Sequence, residues 1–152
     1  MKQTIMKRPH LFTLIGLLTL TLSCEDFDIN GDLDGMWHLR SVETLSDQEI
    51  REVKSERIYY SVQQRLITVK RLTTNEVTGK GYRQYIGRFN HTGDSLILHS
   101  FVLFQIEDSI ATPEELSPFY LDGTVSRYAV RQLDNKQMVL RSTERELTFK
   151  KF

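Results

Sequence analysis

From Gly35 to Phe152 the chain reads as short runs of β-branched, aromatic and aliphatic residues broken by turn residues. Apolar and polar positions alternate most clearly at Trp37/Leu39, at Ile58/Tyr60/Val62 and at Leu147/Phe149. A period of two puts such residues on one face of a strand. The pattern predicts eight strands, at 36–45, 56–63, 65–72, 82–90, 95–104, 124–133, 136–142 and 145–151. Short strands at this spacing point to an all-β sandwich or barrel and not to βαβ units. The run Ser95–Phe104 is apolar on both faces, which predicts cover on its outer side as well.

The connections sharpen this into an eight-stranded antiparallel up-and-down barrel. Predicted strands two and three join at about Gln64, four and five through His91-Thr92-Gly93-Asp94, and six and seven through Asp134-Asn135, all tight hairpins. The joins after strands one, three and five are long: Ser46–Ser55, Thr73–Gly81 and Gln105–Gly123. Odd joins share one end of such a barrel and even joins the other. One end is therefore closed by tight turns and the other carries long loops, with only the join after strand seven short there. Short helices are expected in two of the loops at this open end. Ser46-Asp47-Gln48-Glu49 has capping-box spacing, with Ile50 and Val53 following on one face. Thr112-Pro113-Glu114-Glu115 offers an N-cap, a first-turn proline and first-turn acids. It predicts a helical turn to about Ser117, before Pro118, with Leu116, Phe119 and Leu121 over the barrel mouth. A closed barrel of this size holds packed side chains or one small ligand.

The start of the chain has a different character. Lys2, Lys7 and Arg8 precede a mostly apolar run, Leu11–Leu22, and Thr21-Leu22-Ser23 leads to Cys24, the single cysteine. A bilayer-spanning helix needs roughly 20 apolar residues and a secretory h-region roughly 7–15. Residues 1–23 are thus expected to be a cleaved lipoprotein signal peptide, with Cys24 lipidated and the mature chain hung from a membrane. Residues 24–34 form the lipidated cysteine and an acidic linker; Glu25–Asp34 holds five acidic residues in ten and is expected to be a solvated spacer. Residues 35–152 form the barrel domain. One cysteine excludes an internal disulfide, so the core alone must hold the fold. The mature chain has 17 basic and 20 acidic residues, a net charge near −3, which argues against nucleic acid as a partner.

Gly35-Met36-Trp37 at the first strand matches the G-x-W signature of the lipocalin superfamily. With the lipobox-like start and the ending Leu147–Phe152, the chain resembles a lipocalin-like lipoprotein of the Bacteroides type over Gly35–Phe152. The acidic stretch after Cys24 resembles the surface-export signals of such lipoproteins. The resemblance implies that Gly35 and Trp37 are structural residues of the closed barrel end. It also implies that a late basic residue covers Trp37; both Lys150 and Lys151 qualify.

Candidate ligand-binding residues at the open end and upper interior are Tyr60, Val69, Tyr85, Phe101, Tyr128 and Leu140. Tyrosines join an apolar body to a polar tip, which suits an amphipathic molecule. The competing reading is that the same side chains fill the barrel. No catalytic motif, glycine-rich phosphate loop or cofactor signature is present. Asp28–Asp34 has oxygen side chains at alternate positions but Leu33 where a calcium loop needs glycine. His38, His91 and His99 are not spaced as a zinc pair, so no metal is expected. Basic residues on the strands interleave with acids and read as a solvated exterior. The leading function is a lipid-anchored envelope binding module for a small apolar or amphipathic ligand, on the periplasmic or surface face of an outer membrane. An assembly lipoprotein, using the barrel as a platform for an envelope protein partner, is the alternative. An enzyme or enzyme inhibitor acting through the long loops is a third.

Overall fold

The computed structural model describes residues 29–72, 83–104 and 109–152. The expected signal peptide, Cys24, the first residues of the acidic spacer, residues 73–82 with the Thr73–Gly81 join, and 105–108 lie outside the described residues. The strands are β1 (Gly35–Thr44), β2 (Glu49–Glu52), β3 (Ile58–Gln63), β4 (Leu66–Arg71), β5 (Gln84–His91), β6 (Ser95–Leu103), β7 (Val125–Leu133), β8 (Gln137–Arg141) and β9 (Arg145–Lys151). From β3 to β9 each pairs antiparallel with the next, and β9 returns to β1 from Trp37↔Lys151 to Thr44↔Arg145. The β1–β9 pairing closes the sheet into a barrel of eight strand positions, with β2 as its one terminal strand among the described residues.

The second position is shared, and here the structure corrects the sequence reading. Ser46–Ser55 was expected to hold a helix. Instead Glu49–Glu52 is strand β2, paired with the second half of β1 from Ser41↔Glu52 to Thr44↔Glu49. Strand β3 takes the first half, from Gly35↔Val62 to His38↔Tyr59. The capping-box residues serve a turn: Gln48 is left-handed (φ 58), and Asp47 Oδ1 accepts from the Glu49 amide at 3.0 Å. An Asx side chain that satisfies a nearby amide stabilises a turn as readily as a helix start. The unpaired edge of β1 then offers the next four residues a ladder. Ile50 and Val53 do not share a face; Val53 is buried and Ile50 is exposed.

The second helix forms as the sequence implies. In α1 (Pro113–Leu116) the Thr112 hydroxyl accepts from the Glu115 amide, and the Glu115 carboxylate accepts from the Thr112 amide. Helical geometry does not stop before Pro118; it tightens into a 3-10 turn, Ser117–Phe119, ended by left-handed Tyr120. Proline fits because it stands in the first turn, where its missing N–H leaves nothing unpaired. Leu116, Phe119 and Leu121 are buried over the mouth. At the opposite end a 3-10 turn, Gly31–Leu33, buries Leu33 against the barrel. The last residues of the spacer therefore belong to the packed unit.

Strand β6 turns Leu96, Leu98 and Phe101 inward, while Ile97 and Val102 remain half-buried outside. Part of the expected outer cover is supplied where Ile110 bridges to Val102. Gly87 faces Phe101 across a β5–β6 bulge: a Cβ there would lie 2.6 Å from the Phe101 ring and 3.0 Å from the His99 carbonyl. Gly87→Ala is expected to cost about 1–3 kcal/mol in urea unfolding. Pairing it with Phe101→Leu should recover part of that loss, the coupling a double-mutant cycle reads.

Candidate functional site

The closed end is built around Trp37, which is fully buried. Its Nε1 donates to the Leu33 carbonyl at 2.8 Å. Lys151, not Lys150, covers the ring: its Nζ lies 5.0 Å from the ring centroid and donates to the Asp32 carbonyl at 3.0 Å. Leu147 and Phe149 face inward, so a period of two carries Lys151 to the same face and Lys150 to solvent. Gly35 sits at φ 117, where a Cβ would lie 2.9 Å from Lys151 Cε. The backbone conformation calls for glycine here, and the lysine end lies close enough that a side chain would have to push it aside.

The six residues singled out in the upper barrel come together in its interior, none more than 3% exposed. Tyr60, Val69 and Tyr85 lie in one transverse row, set by the pairings Tyr60↔Val69 and Val69↔Tyr85. The Tyr60 ring packs 4.9 Å from Phe149, and Tyr85 meets Phe119 edge-on at 5.6 Å. Phe101 fills the space left by Gly87. Tyr60, Val69, Tyr85 and Leu140 are 0% exposed, so no water-sized space touches their side chains. In this closed state the interior is filled.

The segment over the mouth is tied to this interior through its backbone. The Tyr60 hydroxyl donates to the Phe119 carbonyl at 2.6 Å, and the Tyr128 hydroxyl to the Tyr120 carbonyl at 3.3 Å. The Tyr85 hydroxyl is buried and has no hydrogen-bond partner among the described residues. From outside, the Tyr120 hydroxyl donates to Glu56, which also pairs with Arg71 and Arg51. Beside the mouth, Arg145 Nε meets Asp122 at 3.1 Å. The sequence carried no signal for these ties, because they end on backbone carbonyls or join residues far apart in the chain.

Burial raises both Tyr60 and Tyr128 well above the ordinary phenol range, and the Asp122 carboxylate adds to the shift in each. The unfolded chain releases these protons from about pH 10, while the folded chain keeps them. The stability they protect is complete below that pH and falls as pH rises beyond it. Alkaline unfolding followed by circular dichroism should begin above about pH 10. Tyr60→Phe should flatten the decline.

Other polar groups have structural partners. Glu115 completes the α1 cap and pairs with Arg83. His38 Nε2 lies 3.2 Å from the Lys54 carbonyl, and its ring stacks on Tyr59. Burial lowers the His38 pKa. No three His, Cys, Asp or Glu side chains gather as a metal group among the described residues. No described helix is long and apolar enough to cross a membrane. Clefts lined by described residues open on the surface. One of about 280 Å³ at the mouth is lined by Val42, Arg51, Tyr120 and Arg145 among others, and two lie on the outer wall. None is lined by any of the six interior candidates.

With the geometry established, comparison with known proteins places the chain. A family model described as a lipocalin-like domain matches residues 17–152. No curated protein matches the sequence. A solved lipocalin-like protein from Bacteroides uniformis is similar in fold, at 20% identity and a TM-score of 0.61, covering 80% of this chain and 100% of its own. A solved uncharacterized protein from Bacteroides eggerthii gives 19% identity and a TM-score of 0.59, covering 79% of this chain and 99% of its own. The closed eight-position barrel and the match across it show that the chain belongs to the lipocalin-like domain family.

Proposed function

We propose that the protein is a lipid-anchored binding module of the cell envelope. Cys24 holds it to the outer membrane, on the periplasmic or surface face, and the upper barrel takes up a small apolar or amphipathic molecule without chemistry. The observation that carries this reading is the lid, Thr112–Leu121. Its apolar side chains plug the mouth, while Tyr60 and Tyr128 donate to its backbone carbonyls. Displacing it frees both hydroxyls at the top of an aromatic-walled interior, beside the unpartnered Tyr85 hydroxyl. A buried donor without a partner costs about 1–3 kcal/mol. A ligand with an oxygen acceptor at one end and an apolar body would satisfy such donors and replace the lid side chains. Titrating residues 25–152 with 11-dansylaminoundecanoic acid tests this: saturable one-to-one fluorescence enhancement is expected, and no enhancement contradicts it. For the anchor, Cys24→Ala should end palmitate labelling in cells, and persistent labelling would contradict lipidation there.

One observation favours the platform reading. Ile86, Val102 and Ile110 form an apolar row on the outer wall, with Ile110 76% exposed and Phe104 44% exposed. Ile110→Asp should leave probe uptake unchanged under the binding-module reading. Loss of a stoichiometric envelope partner in this variant would support the platform instead.

A further inference from the structure

We infer that the outer wall of β4–β7, next to the closed end, docks on the phosphate headgroups of an anionic bilayer. The strand register sets two transverse rows on this wall. One runs Leu66–Arg88–His99–Val125, the other Asn90–Ile97–Arg127. Arg88 and Arg127 share these rows with Leu66, Ile97 and Val125, and Leu66 and Val125 are 41% and 45% exposed. Two clefts of about 800 and 480 Å³ share Asn90 and His99 and so make one continuous groove. Arg65 and His91 extend it toward the closed end, and among the described residues no acidic side chain lines either part.

Three arginines without a carboxylate partner gather along this groove, whereas Arg40, Arg57 and Arg131, which also make no ion pair among the described residues, line neither cleft. Arg51, Arg71, Arg83, Arg141 and Arg145 each meet a carboxylate. Among the described residues Arg65, Arg88 and Arg127 make no such pair within 4.0 Å. The mature chain is net acidic, so the basic wall does not simply follow the overall charge. Exposed guanidinium groups interleaved with exposed aliphatic side chains match a membrane interface, where phosphates take the charge and the acyl boundary takes the apolar groups.

The chain's own entry point favours a membrane over a soluble anion. Ile29, 60% exposed, and Asn30 line the same groove, and Asn30 Nδ2 donates to the Gln64 carbonyl at 2.7 Å. Cys24 precedes Ile29 by five residues, a reach of at most about 18 Å. A lipid on Cys24 would keep this wall at the bilayer surface. That argument rests on the proposed anchor, but the test does not, because it uses residues 25–152 without it.

Sedimentation with vesicles of phosphatidylcholine alone and with added phosphatidylglycerol separates the outcomes. Binding to the anionic vesicles and not to the neutral ones is expected. The double variant Arg65→Glu/Arg88→Glu should lose roughly thirtyfold or more in partitioning, from the effect of two juxtamembrane cations. The double variant Arg141→Glu/Lys150→Glu, an equal charge change on β8 and β9, should lose far less. Unchanged melting temperatures would show that the variants fold. The inference is overturned by absent binding to anionic vesicles, by equal losses in the two variants, or by binding to glycerol phosphate or an acidic polysaccharide without vesicle binding. Failure of the anchor would show only in palmitate labelling, and failure of the interior site only in dansyl uptake.

Discussion

Trp37→Ala should remove about 4 kcal/mol of folding stability, the largest loss expected from any single substitution at the closed end. Three effects act together. The side chain is wholly buried, so its removal forfeits contacts and leaves a cavity. The Leu33 carbonyl loses the indole donor at 2.8 Å and stays buried. Lys151 loses the ring beneath its ammonium, and the Asp32–Leu33 plug that it clasps is loosened from within. A domain of this size has only about 5–15 kcal/mol in total, so the variant should unfold at a far lower urea midpoint. The slope of the transition should be nearly unchanged, which would place the effect in stability and not in the extent of the fold. Trp37→Phe, which keeps most of the volume, should lose much less.

Phe119→Ala is expected to act in two opposed directions, costing about 3 kcal/mol of stability while tightening dansyl-probe binding. The ring is 3% exposed, contacts Tyr85 edge-on and plugs the mouth. Its loss leaves an apolar space of the kind that stays dry and admits apolar molecules. Under the proposed binding role a ligand must first displace this ring, and that conformational cost lowers the apparent affinity. Without the ring, affinity should rise roughly tenfold. Tyr60 still has the Phe119 carbonyl as its acceptor, because the substitution leaves the backbone in place. A stability loss with no gain in uptake would mean that the aromatic residues at the mouth are packing alone.

Much of this architecture was legible because strand alternation is a local signal. Leu147 and Phe149 fixed the inner face of β9, and with it the position of Lys151, although the sequence alone left Lys150 open. The parity of long and short joins alone places the Thr112 cap at the mouth. Strand β2 was not legible. All four of its residues are exposed, so it has no apolar period, and its conformation is set by the free edge of β1. Leu33 was also hidden. A single apolar residue in an acidic stretch looks solvated until the barrel end that receives it is known. The inward face of β3 followed from alternation at Ile58, Tyr60 and Val62, whereas β6 is apolar on both faces and its inward side is set by the register; all six upper-barrel candidates lie inside. The alternatives of ligand wall and packed core differ only in whether the lid moves, and lid movement depends on carbonyl acceptors that leave no trace in residue type. The basic outer wall was obscured for a related reason. Its arginines interleave with acids along the sequence, and only the register shows that the acids lie elsewhere.

The measurement that bears most directly on the account is native mass spectrometry of residues 25–152 produced in a bacterial periplasm, both as isolated and after incubation with excess 11-dansylaminoundecanoic acid. A barrel that binds beneath its lid should carry one discrete added mass in at least one of these samples, lost in the same step that unfolds the protein. An unliganded mass in both, with the protein folded throughout, would contradict an interior binding site.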